Sequence, residues 1–323
     1  MKWKKKPDND WLFNLKNYSN PKIQSEDKTE FDEPSILEYL YTFIEDDCKF
    51  GLDVGAWGAS NVDYISDKLN WRRLQIDGVE KGSYKETYKV EWMTKENIIS
   101  ILNKYKCPKP LEVISIDLDN MDYWILEQIL LNGFKSKIII FEFNPMYKYN
   151  ECYTKAYFPN ATKSGRPFKW EIKGDDGETL TEFRPRTTSI DGIAVPTTPV
   201  LTGNAGSSSW YGASLGAFIK LGKRFGYELV YISPAKINKD GDTDLRYHGF
   251  NSNNGWLLNK EYIREDDLIH TPDSLHTPYI ETFKEKGNRV FDNYFFHSPY
   301  SLISNDIKSL KKYFLTNGMI KKV

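Results

Sequence analysis

Two short apolar runs limit what this chain can fold into. "LEVISIDLD", from Leu111, and "KIIIFEFNP", from Lys137, are nearly continuous in apolar residues at 113–116 and 138–141. Runs of that length suit strands buried on both faces. Between them "MDYWILEQILLNG" has helical apolar spacing and closes on Gly133, a residue suited to the C′ position of a helix. Strands alternating with helices imply a parallel sheet covered on both sides.

The same rhythm runs outward from this unit. "PSILEYLYTFIEDD" places Ile36, Tyr39, Leu40 and Phe43 at helical spacing, with Pro34 in the first turn. "KFGLDV" reads as a strand ending at Asp53, 61–69 as a helix, "RRLQIDG" as a strand ending near Asp77, and "YKVEW" as a third strand. Thr94 can cap a helix whose apolar positions lie in "ENIISILNKY". Further on, "GASLGAFIKLGKRFGY" is a helix, "ELVYIS" a strand and "GWLLNKEYI" a closing strand and turn.

Residues 1–33 are polar, charged and broken by Pro7 and Pro21, which reads as an N-terminal arm or loose lead-in. The stretch 147–210 is rich in Gly, Ser and Thr and lacks a helical period. An irregular segment that long inside a domain is a lid, a binding loop or an inserted hairpin. The expected organisation is an arm (1–33), a main domain (34–263) carrying the insertion at 147–210, and a charged, aromatic-rich C-terminal extension (264–323) with two short helices.

With 323 residues, 40% of them hydrophobic, the chain can bury a large core. Its net charge of −1 gives no bulk electrostatic case for nucleic acid or an acidic membrane surface. The three cysteines, Cys48, Cys107 and Cys152, are far apart, which argues against a zinc site and a disulfide framework and fits a reducing compartment. No signal peptide and no apolar stretch of membrane-spanning length is evident, so a cytoplasmic location is expected, or a host's cytoplasm for a viral protein.

"GLDVGAWGAS", residues 51–60, is where strand turns into helix. A glycine turn there lets a ligand approach the backbone and the free N–H groups of the helix. Gly55-Ala56-Trp57-Gly58 departs from the GxGxxG of dinucleotide folds. Asp53, just before the first glycine, would repel a pyrophosphate and suits a cationic amino group, such as the amino-acid end of S-adenosylmethionine. Asp77, at the end of the next strand, is placed to accept both ribose hydroxyls of a nucleoside.

These stretches, with "LQIDGVEKG", "ISIDLDNMDYWILEQIL", "IIIFEFNP" and "YGASLGAFIKLGKRFGYELV", occur in the order seen in class I S-adenosylmethionine-dependent methyltransferases, and more narrowly resemble the FkbM-like group. The likeness covers about 34–145 and 210–263. It implies a Rossmann-like, doubly wound, mostly parallel seven-stranded sheet, with a long insertion after strand five and the cofactor over strands one and two. By position it implies Asp53, Gly55, Ala56 and Gly58 as the cofactor loop, Asp77 as ribose ligand, and Ser60 and Asn61 near the methionine carboxylate. Trp57 is bulky for such a turn, and "IDGVE" replaces the more usual "IEGDP".

Methyl transfer asks the protein for alignment and removal of the acceptor's proton. Asp117 and Glu142, at the ends of neighbouring strands, are candidates for that work, and with Asn144 they form an oxygen donor set for a hard cation such as Mg²⁺. Asp119, Asn120 and Asp122 equally suit the N-terminus of a helix. His248, in "RYHGFNSNNGW", is a candidate base, against the plainer role of a solvated or packed histidine. The small residues Gly212-Ala213-Ser214 could let backbone approach the acceptor. In the insertion, Arg166, Trp170, Arg184 and Arg186 mix planar cations with an aromatic and suit sugars or anions.

The expected function is O-methyl transfer to a hydroxyl of a sugar, glycan or other small polar acceptor. The alternatives are a catalytically inactive binding protein of this fold, a nucleic-acid methyltransferase, for which "FNPMY" is only a partial echo of the usual motif, and an NAD-dependent enzyme, disfavoured by Asp53 and the missing GxGxxG.

Overall fold

The computed structural model describes residues 3–8, 11, 12, 14, 15, 33–56, 60–78, 86–118, 121–143, 151–155, 157, 212–233, 253–263, 315 and 320–323, and the backbone of strands within 172–200. The elements in chain order are α1 (Glu33–Phe43), β1 (Phe50–Val54), α2 (Asp63–Leu69), β2 (Arg72–Asp77), β3 (Tyr88–Val90), α3 (Ile98–Lys104), β4 (Leu111–Ile116), α4 (Asp122–Leu131) and β5 (Ser136–Phe143). Then follow β6 (Tyr153–Lys155), β7 (Ile172–Lys173), β8 (Thr179–Leu180), β9 (Arg184–Ile190), β10 (Ile193–Val200), α5 (Leu215–Phe225), β11 (Tyr227–Ile232), β12 (Asn253–Asn259) and β13 (Ile320–Lys322).

Seven strands form one sheet in the order β11-β12-β5-β4-β1-β2-β3. Only β12 runs against its neighbours, antiparallel to both β5 and β11. The result is a mostly parallel α/β sheet of Rossmann-like type. The chain builds outward from β1 to β3, then crosses back to lay β4 on the other side of β1. That reversal puts a switch point between the carboxyl ends of β1 and β4, where a crevice forms in open α/β sheets.

Burial follows from the sequence pattern. Every residue of β1, β4 and β5 is buried, as both-face coverage requires. The two layers can be told apart by what the strand residues meet. A Cβ at Gly51 would touch Val62 and Ser66 beside α2, whereas the Phe141 ring stacks on Phe218 of α5, 4.3 Å between centroids. Phe134 N–H donates to Ile129 O and Gly133 N–H to Leu130 O, with Gly133 at φ +80°, so α4 ends in a Schellman motif. Before α3, Thr94 and Asn97 bond each other's backbone N–H groups reciprocally, at 2.7 and 3.2 Å.

At the amino end of the sheet sits a buried ion pair. Lys137, at the start of β5, lies 3.0 Å from Glu112 of β4 and also meets Asp47 and the Glu45 carbonyl. Glu112 Oε1 accepts from the N–H groups of Cys48 and Lys49, at 2.6 and 3.1 Å. This lock pins the turn entering β1.

Two expectations change. The lead-in is not loose at its apolar positions: Trp11, Leu12 and Leu15 are buried in the core, and Tyr39 donates to the Trp11 carbonyl at 2.8 Å. Average polarity had masked the few side chains that cover α1. The helix expected over 61–69 begins at Asp63, because Asp53 holds Ser60 and Asn61 in a turn. Residues 320–322 are a strand, β13, paired antiparallel with β6; of the stretch expected to hold two short helices, Leu315 is described and is helical, and the rest of 264–319 lies outside the described residues. Within 147–210, β7–β8 and β9–β10 form antiparallel pairs. No helix among the described residues is long and apolar enough to cross a membrane.

Candidate active site at the carboxyl end of the sheet

Gly55 directly follows β1, with φ +96°. A Cβ there would overlap the carbonyl of Asp117, 2.5 Å from its carbon, so only glycine lets the ends of β1 and β4 meet. Gly55 N–H donates to Ile76 O at 2.8 Å and Asp117 N–H to Val54 O at 2.9 Å. The ends of β2, β1 and β4 are thereby stitched together at the switch point.

Strand parity puts the polar residues of this region on one face. Asp53 stands beside Gln75 and Ser115 in register. Glu142 stands opposite Asn254. Gln75, Asp53, Ser115, Glu142 and Asn254 are all buried, on the side covered by α1 and α2. Glu33, the first residue of α1, is fully buried and accepts from Asn254 Nδ2 at 2.7 Å. A polar belt therefore crosses the neighbouring strands just under the crevice, where burial makes each hydrogen bond count.

Asp53 organises the loop. Its Oδ2 accepts from Ser60 Oγ at 2.6 Å and from Asn61 N–H at 3.0 Å. Asn61 Nδ2 donates to Ser115 Oγ at 3.0 Å. Burial pushes the Asp53 carboxyl up to about 7, against the pull of the Ser60 hydroxyl and with a push from nearby Asp63. The structure thus gathers Asp53, Gly55, Ala56, Ser60 and Asn61 in one place, and gives Ser60 and Asn61 bonding duties within the protein. Asp77 is buried at the end of β2, its carbonyl accepting from Glu91 N–H at 2.8 Å. The Trp92 ring lies over Gly78, leaving no room for a side chain there.

Asp117, Asp122 and Glu142 bring carboxylate oxygens within 4.8 Å of one another. Asp122 opens α4 and lies in its acidic first turn, as its suitability for a helix N-terminus implies, though it does not cap the helix. Its Oδ1 instead accepts from Leu118 N–H at 2.6 Å, closing the loop before α4, whose N-cap residue Met121 makes no side-chain cap bond. Three close carboxylates repel unless they share protons or a cation. As an all-oxygen set they suit a hard divalent ion. A second group, Asp47, Cys48 and Glu112, already has its cation in Lys137.

Gly58, Asn144 and His248 lie outside the described residues, as do Asp119, Asn120, Arg166, Trp170 and the side chains of Arg184 and Arg186. Gly212, Ala213 and Ser214 are not open to an acceptor: β6 pairs with them, and Ser214 Oγ caps α5 by accepting from Ala217 N–H at 3.1 Å. Sequence reasoning missed Ser115, Gln75, Asn254 and Glu33. The available signal was a polar residue inside an otherwise apolar strand, as Ser115 is in "LEVISI".

No family model matches the chain, and no curated protein matches it significantly.

Proposed function

We propose that this chain is an S-adenosylmethionine-dependent O-methyltransferase acting on a hydroxyl of a sugar, glycan or other small polar acceptor. The observation that carries the reading is the close approach of Gly55 to the Asp117 carbonyl: it brings the backbone ends of β1 and β4 together at the switch point, beside the buried acids Asp53 and Asp77, where a dinucleotide fold would need an anion cradle. The finer architecture belongs to this reading: a Rossmann-like domain over 34–263, 147–210 as an insertion shaping the acceptor side, an extension over 264–323, and a cytoplasmic location. When bound, the donor supplies an electrophilic methyl group on a sulfonium.

The chain's own residues divide the remaining work. Asp77 accepts hydrogen bonds from the ribose. Asp53 fixes the Ser60–Asn61 turn and offers its charge to the donor's ammonium group. Asp117 or Glu142 takes the acceptor's proton, with His248 a further candidate base. A divalent ion such as Mg²⁺, held by Asp117, Asp122 and Glu142 with Asn144 as a further donor, would favour ionisation of the hydroxyl.

One observation favours the inactive binding protein as the second reading. Asp53 already receives two hydrogen bonds from its own loop, which weakens its call for an outside cation. The net charge of −1 supplies no basic channel for a nucleic-acid acceptor.

Calorimetric titration with S-adenosylhomocysteine, with and without Mg²⁺, separates the two. Micromolar binding, abolished by Asp77→Ala and Asp53→Ala in variants that keep their circular dichroism, is the expected result. Folded protein that binds nothing under either condition overturns the methyltransferase reading in favour of the inactive one.

A further inference from the structure

Three distant stretches of the chain meet beside α4. β6 lies between residues 212–214 on one edge and β13 on the other. On the first edge Lys155 N–H donates to Gly212 O at 2.9 Å and Ser214 N–H to Tyr153 O at 2.8 Å. On the second, Lys321 stands opposite Thr154, and Val323 N–H donates to Cys152 O at 2.9 Å. Ser214 Oγ ties the first edge twice, accepting from Tyr153 N–H at 3.0 Å while it caps α5.

This small clasp bears on one side chain. Trp124 Nε1–H donates to the Lys155 carbonyl at 2.9 Å. Lys321 Nζ lies 5.6 Å from the centre of the Trp124 ring, and Lys95 Nζ lies 5.8 Å from it. The Tyr157 ring packs edge-on at 6.1 Å. Trp124 belongs to the first turn of α4, the turn that begins with Asp122. Asp122 in turn holds the Leu118 N–H, and so the loop that follows Asp117.

We propose that the last residues of the chain, 320–323, position the acid cluster. β13 completes the clasp on β6, β6 holds Trp124, and Trp124 sets the turn of α4 that carries Asp122. A three-residue strand held on one edge by two backbone hydrogen bonds and the Ser214 hydroxyl is too small to be stable alone, so the second edge matters. Trp124 is a positioning residue in this scheme and acts through α4. The inference rests on the acids being the reacting end of the crevice. Its test needs neither methyl donor nor acceptor, so it can fail while the methyltransferase reading stands.

Amide hydrogen exchange would be followed in the full chain, in a chain ending at residue 319, and in Trp124→Phe, which keeps the ring and loses the N–H donor. The truncation is expected to speed exchange at Tyr153–Lys155 and at Leu118 by on the order of tenfold, leaving β1 and β4 unchanged. Trp124→Phe should reproduce the effect at Leu118 while β6 stays protected. An excess of a peptide spanning 318–323 should restore protection to the truncated chain. Faster exchange at β6 with Leu118 still protected overturns the proposal. If truncation loosens the whole sheet, Trp124→Phe decides, and an unchanged Leu118 amide overturns it there.

Discussion

Gly55→Ala is the sharpest perturbation the fold offers. Two costs add at this position. An alanine at φ +96° carries left-handed strain of about 1–2 kcal/mol. Its Cβ also overlaps a backbone carbonyl, that of Asp117, which cannot swing aside as a side chain can. Relief requires the ends of β1 and β4 to part, loosening the bonds from Gly55 to Ile76 and from Asp117 to Val54. Each is worth about 1 kcal/mol. The expected loss is about 3–4 kcal/mol. Gly133→Ala is the matched control: its φ is +80°, yet a Cβ there meets nothing within 4 Å, so only the strain applies. Urea unfolding followed by tryptophan fluorescence should place Gly55→Ala about 2 kcal/mol below Gly133→Ala. Equal losses in the two variants would refute the close approach of the two strand ends. A folded Gly55→Ala chain should also bind S-adenosylhomocysteine more weakly, since parting the ends of β1 and β4 displaces the loop that follows Asp53.

Four further outcomes follow from described contacts. Because the folded Asp53 carboxyl is raised to about 7 from 3.8, the unfolded chain releases that proton first, and this group's contribution to stability falls as pH rises from about 4 to about 7, then levels off. Asp53→Asn should flatten that part of a stability–pH curve measured by urea unfolding. Lys137→Met strands Glu112 in the core and should cost about 3–5 kcal/mol, whereas adding Glu112→Gln should recover much of the loss, with ligand binding at the far end of the sheet unchanged in titration. Cys48 is only partly buried, but burial and the neighbouring Glu112 push its thiol up to about 12, so iodoacetamide at pH 8 should label it far more slowly than a free thiol, as read by mass spectrometry. Ser214→Ala removes the acceptor for both Tyr153 and Ala217 and should lower thermal stability by about 1–3 kcal/mol by calorimetry.

The sheet was legible because its inner strands leave no choice. "KIIIFEF" has nowhere to go but between two layers, and Gly133 marks its helix end without help from tertiary structure. The candidate site was legible at Asp53, Gly55, Asp77, Asp117 and Glu142, which all sit where strands stop. The polar belt was not. In a strand buried on both faces, periodicity cannot say which face Ser115 takes, and the answer came from Asn61 reaching it from the α2 side. Glu33 and Asn254 are far apart in sequence, and nothing local announces their bond. Asp122 opens α4 as its chemistry suggested, but nothing local announces that its carboxylate reaches back to the Leu118 N–H.

The reversed strand β12 has a consequence for how the chain is made. β5 needs β12 as its outer neighbour, yet Phe143 pairs with Asn253, which the ribosome adds 110 residues later. At about 5–20 residues per second, the outer edge of β5 stays open for roughly 5–20 s in every round of synthesis. That edge is "SKIIIFEF", a sequence made for strand pairing. Nascent chains therefore pass through a sticky interval that ends only when β12 arrives. Yield on expression should depend on the elongation rate between β5 and β12 and on chaperones that shield the growing chain.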